Sequence, residues 1–244
     1  MRNNTFKSTL HVSQVIESHH VNTYGEFISD YLKYLTNHSQ QSLYDSACSL
    51  FKSGLMGNAI REINHAAESF RFARTVRESL EPVLKTTLNS FDINSVRVVT
   101  DYFKHNRLPW HQDEATWYRQ LSYRNKFPLT IWTPLMAEGE NPSTIEVFSE
   151  PSPKLEWHKE YEKQGFFQSV RFDEFTLTSS NNTLLASLIP GDATVFSSMT
   201  MHRTTPGSGR YVRISMDVRA LLSDSLPPKI TRDWKYFFLN KGFS

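Results

Sequence analysis

The sequence predicts a mainly β protein with a helical N-terminal segment, its core an antiparallel double-sheet barrel of the jelly-roll kind (a double-stranded β-helix, cupin-like) flanked by helices. Three observations predict it. Apolar residues recur at helical spacing from Phe27 onward, the period shifts to short strands from Ser95, and no Gly-, Pro- or Ser-rich linker separates the two regions between residues 70 and 95. Amphipathic helices must bury their apolar face, and the outer face of a sheet is the partner available to them.

The length of 244 residues fits one large single-core domain rather than two. It reads as a polar arm (1–22), a helical support (23–92), the jelly-roll core (93–222) and a C-terminal tail (223–244). The His19-His20 pair offers metal binding as one reading and decoration of the arm as the preferred one. Phe27, Ile28, Tyr31, Leu32 and Leu35 mark a first helix, Leu43, Ala47, Leu50 and Phe51 a second, and Ala59, Ile60, Ile63, Ala66, Ala67 and Phe70 a third. A fourth helical stretch near Val76 to Leu88 contains Pro82, which lacks an N–H and is expected to kink the helix or begin a new one. The strand segments are VRVVTDYF, PLTIWTPLM, STIEVF, LLASLIP, ATVFSS and RYVRISMDVRALL, separated by turn-forming clusters at 138–142, 181–182 and 206–209.

Charge and cysteine usage exclude several classes. With 27 basic and 25 acidic residues the formal net charge is +2, so no basic footprint marks a nucleic-acid partner. The single cysteine, Cys48, leaves no intrachain disulfide and suits a reducing compartment. The start lacks the apolar core of a signal peptide, and no stretch approaches the roughly 18 apolar residues of a membrane span. The expectation is a cytoplasmic monomer or homodimer that acts on a small molecule without a membrane partner.

The chemistry concentrates in LPWHQDEATW, residues 108–117. His111 and Asp113 lie two apart on a strand entering a loop, so their side chains share a face and can converge on one ion. His202, in MTMHRTTPGSGRYVRISMDVR, is the third candidate ligand. Two histidines and one carboxylate with open coordination positions suit a non-haem Fe(II) oxygenase. Eleven residues after His202 comes Arg213, with Ser215 on the same strand face. A guanidinium fork matches a carboxylate and a neighbouring hydroxyl completes the grip, which suits a dicarboxylate cosubstrate. In the last strand Tyr211, Arg213, Ser215, Asp217 and Arg219 occupy one face and Val212, Ile214, Met216 and Val218 the other. The polar face is read as lining the barrel lumen, with the aliphatic face packed under the helices.

The order His111, Asp113, His202, Arg213 and the Arg-x-Ser of Arg213 and Ser215 resemble the phytanoyl-CoA dioxygenase family of Fe(II)- and 2-oxoglutarate-dependent oxygenases, over roughly Val96 to Ala220. Around WHQDEATW the resemblance is to the ectoine hydroxylase branch. It implies that His111, Asp113 and His202 bind Fe(II), that Arg213 and Ser215 hold 2-oxoglutarate, and that O2 is consumed as a substrate C–H is hydroxylated with release of succinate and CO2. Thr130 aligns with a hydroxyl that helps hold the cosubstrate in that branch; an ordinary strand residue is the equal alternative. The aromatic at the Trp117 position helps hold substrate there, and Arg119 and Tyr123 share its loop. Related halogenases replace the carboxylate with a small residue, so Asp113 disfavours halogenation.

The family's usual Gly-x-Leu strand and Pro-Gly-Ser-His turn before the second histidine are replaced here by STIEVFSEPSPK. The resemblance therefore names no substrate; a small polar metabolite or natural-product intermediate is expected, in biosynthesis. Segments 114–127 and 149–167, rich in aromatic residues, read as lid or substrate loops. Three alternatives stay open: a nucleic-acid demethylase, since Arg213 and Arg219 show Arg-x5-Arg spacing, a non-catalytic cupin-like binding protein, and Zn2+ hydrolysis at the same triad.

Overall fold

The structure, a computed structural model, describes residues 9–37, 40–103, 108, 110–113, 128–149, 183–197 and 200–222. Four helices come first: α1 (Ser18–Leu35), α2 (Leu43–Lys52), α3 (Met56–His65) and α4 (Ala67–Leu84). On α1 the buried side chains include Val21, Tyr24, Ile28 and Leu32, spaced by three or four so that one stripe faces inward. Ser42 caps α2, its hydroxyl accepting from the Asp45 N–H at 3.1 Å and donating to the Asp45 carboxylate at 2.7 Å. Pro82 starts no new helix. It sits in the last turn, and the helix stops at Lys85 in the left-handed conformation. The Glu81 side chain then accepts the N–H of Leu88, joining the helix end to the first long strand.

The strands are β1 (Thr9–Val12), β2 (Leu88–Thr100), β3 (Pro128–Asn141), β4 (Ile145–Phe148), β5 (Thr183–Leu185), β6 (Ala193–Ser197), β7 (His202–Thr204) and β8 (Ser208–Leu222). They form a five-stranded sheet in the order β1-β6-β3-β8-β2 and a three-stranded sheet in the order β5-β4-β7, with antiparallel neighbours throughout. Beyond β7 the segment around His111 pairs with His202, each N–H donating to the other's carbonyl at 3.0 Å, and Thr204 N–H reaches the Leu108 carbonyl. Leu108 and His111 therefore extend the pairing of the small sheet beyond β7. From β2 onward the chain passes back and forth between the sheets, which brings sequence-distant strand ends together.

The N-terminal reading needs a correction. Residues 9–12, taken from composition as part of a polar arm, form edge strand β1 on β6, and α1 begins at Ser18. The local sequence is polar, but Thr9 donates to the Phe148 carbonyl and the N–H of Gln14 to Asp192, contacts across the whole chain that composition does not announce. Gly191 permits this approach. Its φ is +96°, and a Cβ there would lie 2.8 Å from the Ile16 carbonyl oxygen.

The two faces of the large sheet do different work. Val96, Val98, Leu129, Ile131, Val195, Val212, Ile214, Met216 and Val218 share one apolar cluster with Ile28, Leu32, Leu50, Ile63, Val76 and Leu80 of the helices. Each such side chain contributes about 1.5–3 kcal/mol on burial, so this layer dominates the apolar stabilisation. On the opposite face, Trp132 and Phe196 pack with Ile145, Val147 and Ala186 from the small sheet. The polar side chains of β8 point to that second face. No helix among the described residues is long and apolar enough to cross a membrane.

Candidate active site

The pairing of His111 with His202 decides where the site forms. Cross-strand partners project to one side of a sheet, and the two imidazole rings lie with centroids 4.1 Å apart. Two residues beyond His111, Asp113 returns to the same spot. Its Oδ1 lies 3.9 Å from His111 Nε2 and 3.8 Å from His202 Nε2. The three side chains each offer a ligand atom within 4.8 Å of the others, close enough for one ion to touch all of them. His202 is held in one tautomer: its Nδ1 lies 2.9 Å from the Thr200 carbonyl, which can only accept, so Nδ1 carries the proton and Nε2 presents its lone pair.

The second carboxylate oxygen of Asp113 is already engaged. Its Oδ2 accepts from Thr130 Oγ1 at 2.6 Å and from Arg219 Nη1 at 2.8 Å, and Arg219 also donates to the Thr130 hydroxyl. Burial alone would push the Asp113 carboxyl up. The Arg219 guanidinium, the two imidazoles and the Thr130 hydrogen bond outweigh burial and hold it well below the usual carboxylate range. Asp113 is therefore a fixed anion with one oxygen turned toward the histidines.

Arg213 presents the opposite situation. It is 2 % exposed, with Nη1 3.5 Å from the Ser143 carbonyl and the guanidinium 5.6 Å from the Trp132 ring centroid. Its Nε and the hydroxyls of Ser215 and Ser143 are buried without a hydrogen-bond partner among the described residues. No carboxylate among the described residues forms an ion pair with it. Burial, opposed by Asp217 and helped by the nearby Arg97, brings its pKa down to about 10, so it stays cationic at neutral pH. A buried, incompletely paired cation beside free hydroxyls is costly unless an anion completes it. The donor set fits the far carboxylate of a small dicarboxylic acid.

Triad and guanidinium open on one cavity, lined also by Arg97, Leu108, Trp132, Ile145, Phe196, Arg203, Thr204 and Asp217. The structure thus brings His111, Asp113, His202 and Arg213 to one space and puts Thr130 directly on the metal-facing carboxylate. Trp117, Arg119 and Tyr123 lie outside the described residues, as do His105, His158 and nearly all of both loop segments. Arg219, Arg97 and the Arg203–Glu146 pair, Nη2 to Oε2 at 2.7 Å, were not singled out for this site from sequence. The signal for Arg219 was its place on the polar face of the last strand, six residues from Arg213.

No protein-family model and no curated protein matches the sequence. Among solved structures the fold is similar to the non-haem monooxygenase ThoJ in its nickel complex, at 12% identity and a TM-score of 0.53 over 89% of this chain and 74% of that one. It is similar to EctD from S. alaskensis with 2-oxoglutarate and 5-hydroxyectoine, at 13% identity and a TM-score of 0.53 over 91% and 78% of the two chains. It is also similar to the non-haem alpha ketoglutarate dependent carbocyclase SnoK from nogalamycin biosynthesis, at 9% identity and a TM-score of 0.51 over 93% and 86%. At these identities the likeness is one of fold.

Proposed function

We propose that this chain is an Fe(II)- and 2-oxoglutarate-dependent dioxygenase of the phytanoyl-CoA dioxygenase type, hydroxylating an unactivated C–H of a small polar metabolite. The observation that carries the reading is the meeting, in one cavity, of the His111, Asp113, His202 cluster with buried Arg213. The alternation of strands between two antiparallel sheets supports reading the core as a double-stranded β-helix, and the whole chain as one domain. The neighbours of similar fold are named as non-haem and alpha ketoglutarate dependent enzymes, which agrees with the donor set.

In this reading His111, Asp113 and His202 hold Fe(II), and Arg213 with Ser215 holds the far carboxylate of 2-oxoglutarate. When bound, iron with 2-oxoglutarate and O2 supplies the oxidation, in which substrate C–H becomes C–OH while the keto acid leaves as succinate and CO2. The chain supplies orientation. Arg219 and Thr130 pin one oxygen of Asp113 so that the other faces the ion, and the Thr200 carbonyl orients the His202 ring through Nδ1 so that Nε2 faces it too. Thr130 is thereby a positioning residue for the carboxylate. Trp132, Ile145 and Phe196 form a dry wall beside the ligands that excludes water from the reacting centre.

The rival readings lose support at particular residues. A demethylase reading leaned on Arg219 as the second arginine of a spaced pair, and that guanidinium is engaged by Asp113 and Thr130. A Zn2+ hydrolase would leave Arg213 buried with no task. The test is anaerobic titration of Fe(II) into the protein with 2-oxoglutarate, following the weak visible charge-transfer band of a chelated keto acid. The band is expected in the wild type, absent in His111→Ala, and to require far more cosubstrate in Arg213→Ala. Folded, iron-loaded protein that shows no band would overturn the proposal.

A further inference from the structure

Three guanidiniums stand on the inner wall of the large sheet, and they differ in exposure. Arg213 is 2% exposed and Arg219 7%, whereas the Arg97 side chain is 40% exposed and still lines the cavity. Arg97 comes from β2, the edge strand, where it stands opposite Ser215. Its Nε lies 3.4 Å from Asp217 Oδ2, one long contact, and its terminal nitrogens have no partner among the described residues.

The charges of the described residues that line the cavity do not cancel. Arg203 is neutralised by Glu146, held through both Nε at 2.8 Å and Nη2 at 2.7 Å. Among the described residues that line the cavity, Arg97, Arg213 and Arg219 stand with the carboxylates of Asp113 and Asp217. An Fe(II) ion and a dianionic cosubstrate offset one another, so the described lining keeps its positive excess when both are bound. It is felt within the wall, where Arg97 opposes the charge on Arg213. Beside these cations the cavity is lined by apolar Trp132 and Phe196 of the same sheet and by Ile145 of the small sheet.

Resting on the oxygenase reading, we propose that Arg97 anchors the substrate at the mouth of the cavity and that the substrate is a small organic acid, its oxyanion on Arg97 and its apolar body against Trp132, Ile145 and Phe196. Arg213 is too deeply buried to serve this purpose and has its own pair of hydroxyls. Arg219 is committed to Asp113. A cationic substrate would meet repulsion instead of a partner.

The test uses the full chain loaded with redox-inert Mn(II) and saturating 2-oxoglutarate, titrated calorimetrically with methanesulfonate or with its neutral isostere dimethyl sulfone. Methanesulfonate is expected to bind and the sulfone to bind far more weakly. Arg97→Gln is expected to weaken methanesulfonate by about tenfold or more, the loss of a charge-assisted pair, while Arg97→Lys retains much of the affinity. Cosubstrate affinity, measured in the same protein, is expected to be unchanged in Arg97→Gln. Equal binding of sulfonate and sulfone by the wild type, equal sulfonate binding by wild type and Arg97→Gln, or a parallel loss of 2-oxoglutarate affinity in Arg97→Gln would each overturn the proposal. Should Arg97→Gln fail to fold, the wild-type sulfonate-to-sulfone ratio and the Lys variant still decide. Failure of the wild type to bind 2-oxoglutarate, with an Arg97-dependent sulfonate response intact, would sink the oxygenase reading and leave the oxyanion subsite standing.

Discussion

Arg219 Nη1 lies 2.8 Å from Asp113 Oδ2, although the two residues are separated by more than a hundred positions, Arg219 on β8 and Asp113 in the turn after the His111 bridge. The pair does two things at once. It keeps a buried carboxylate ionised, and it uses up one of its two oxygens so that the other is aimed at His111 and His202. Outer partners of this kind orient a metal-binding carboxylate and tune its basicity.

Removing that partner is expected to loosen the metal site without emptying it of ligands. Arg219→Gln should lower divalent metal affinity about 10- to 100-fold, and Thr130→Val, which removes the shorter-reaching partner, by less. Competition titration with a metal indicator measures both. Unchanged affinity in Arg219→Gln would mean that the pair does not orient Asp113.

Arg213 makes a prediction of the opposite sign for stability. Replacing a buried, incompletely paired cation with a side chain of similar shape relieves a desolvation cost, so Arg213→Met should stabilise the metal-free, cosubstrate-free protein by about 1 kcal/mol or more. The same substitution should abolish stabilisation by 2-oxoglutarate, which at a hundred times its Kd amounts to about 2.7 kcal/mol in the wild type. Urea unfolding of Mn(II)-loaded and metal-free protein, with and without the keto acid, separates the two effects. A destabilised Arg213→Met in the absence of ligand would show that the guanidinium is already satisfied.

Ile214 is the neighbour of Arg213 in sequence and belongs to the other face of the same strand, fully buried in the cluster under the helices. Ile214→Ala should cost about 2–5 kcal/mol of unfolding free energy through lost burial and the cavity left behind. Metal affinity per folded molecule should stay as in the wild type. A large change in that affinity at unchanged stability would contradict the assignment of faces.

Alkaline stability should depend on Tyr24. Burial pushes its pKa up to about 12 from an ordinary 10.0, with the Ser69 hydrogen bond at 2.5 Å pulling the other way. The folded state therefore holds the proton more tightly than the unfolded chain. The resulting stability is fully present below pH 10 and is lost as pH rises toward 12, a contribution on the order of 2 kcal/mol. Tyr24→Phe should flatten this part of the stability profile, though not all of it, since Tyr31 and Tyr44 are also raised. Denaturant melts from pH 9 to about 12 would show it; identical slopes in both proteins would refute the role of Tyr24.

Much of the architecture was legible because it is written in local period. The spacing of Ile28 and Leu32 or of Ala59 and Ile63 marks helix faces, and the alternation from Tyr211 to Arg219 separates a lumen face from a helix-covered face without any tertiary information. The ligand candidates were legible for a related reason. His111 and Asp113 lie two apart on an extended chain and so must share a side, and His202 with Arg213 supplied the rest of a recognisable chemical set.

Only the tertiary structure decided what depends on register and reach. Strand β1 looked like a polar arm because its stabilisation comes from the edge of β6 and from Asp192, far along the chain. Thr130 and Arg219 are neighbours only because β3 and β8 pair with Thr130 opposite Arg219, and this register delivers both to Asp113. Arg97 reaches the cavity because β2 is the edge strand beside β8. A sequence states which face a side chain takes; where a long guanidinium ends is set by which strand lies beside it, and that is a property of the folded sheet.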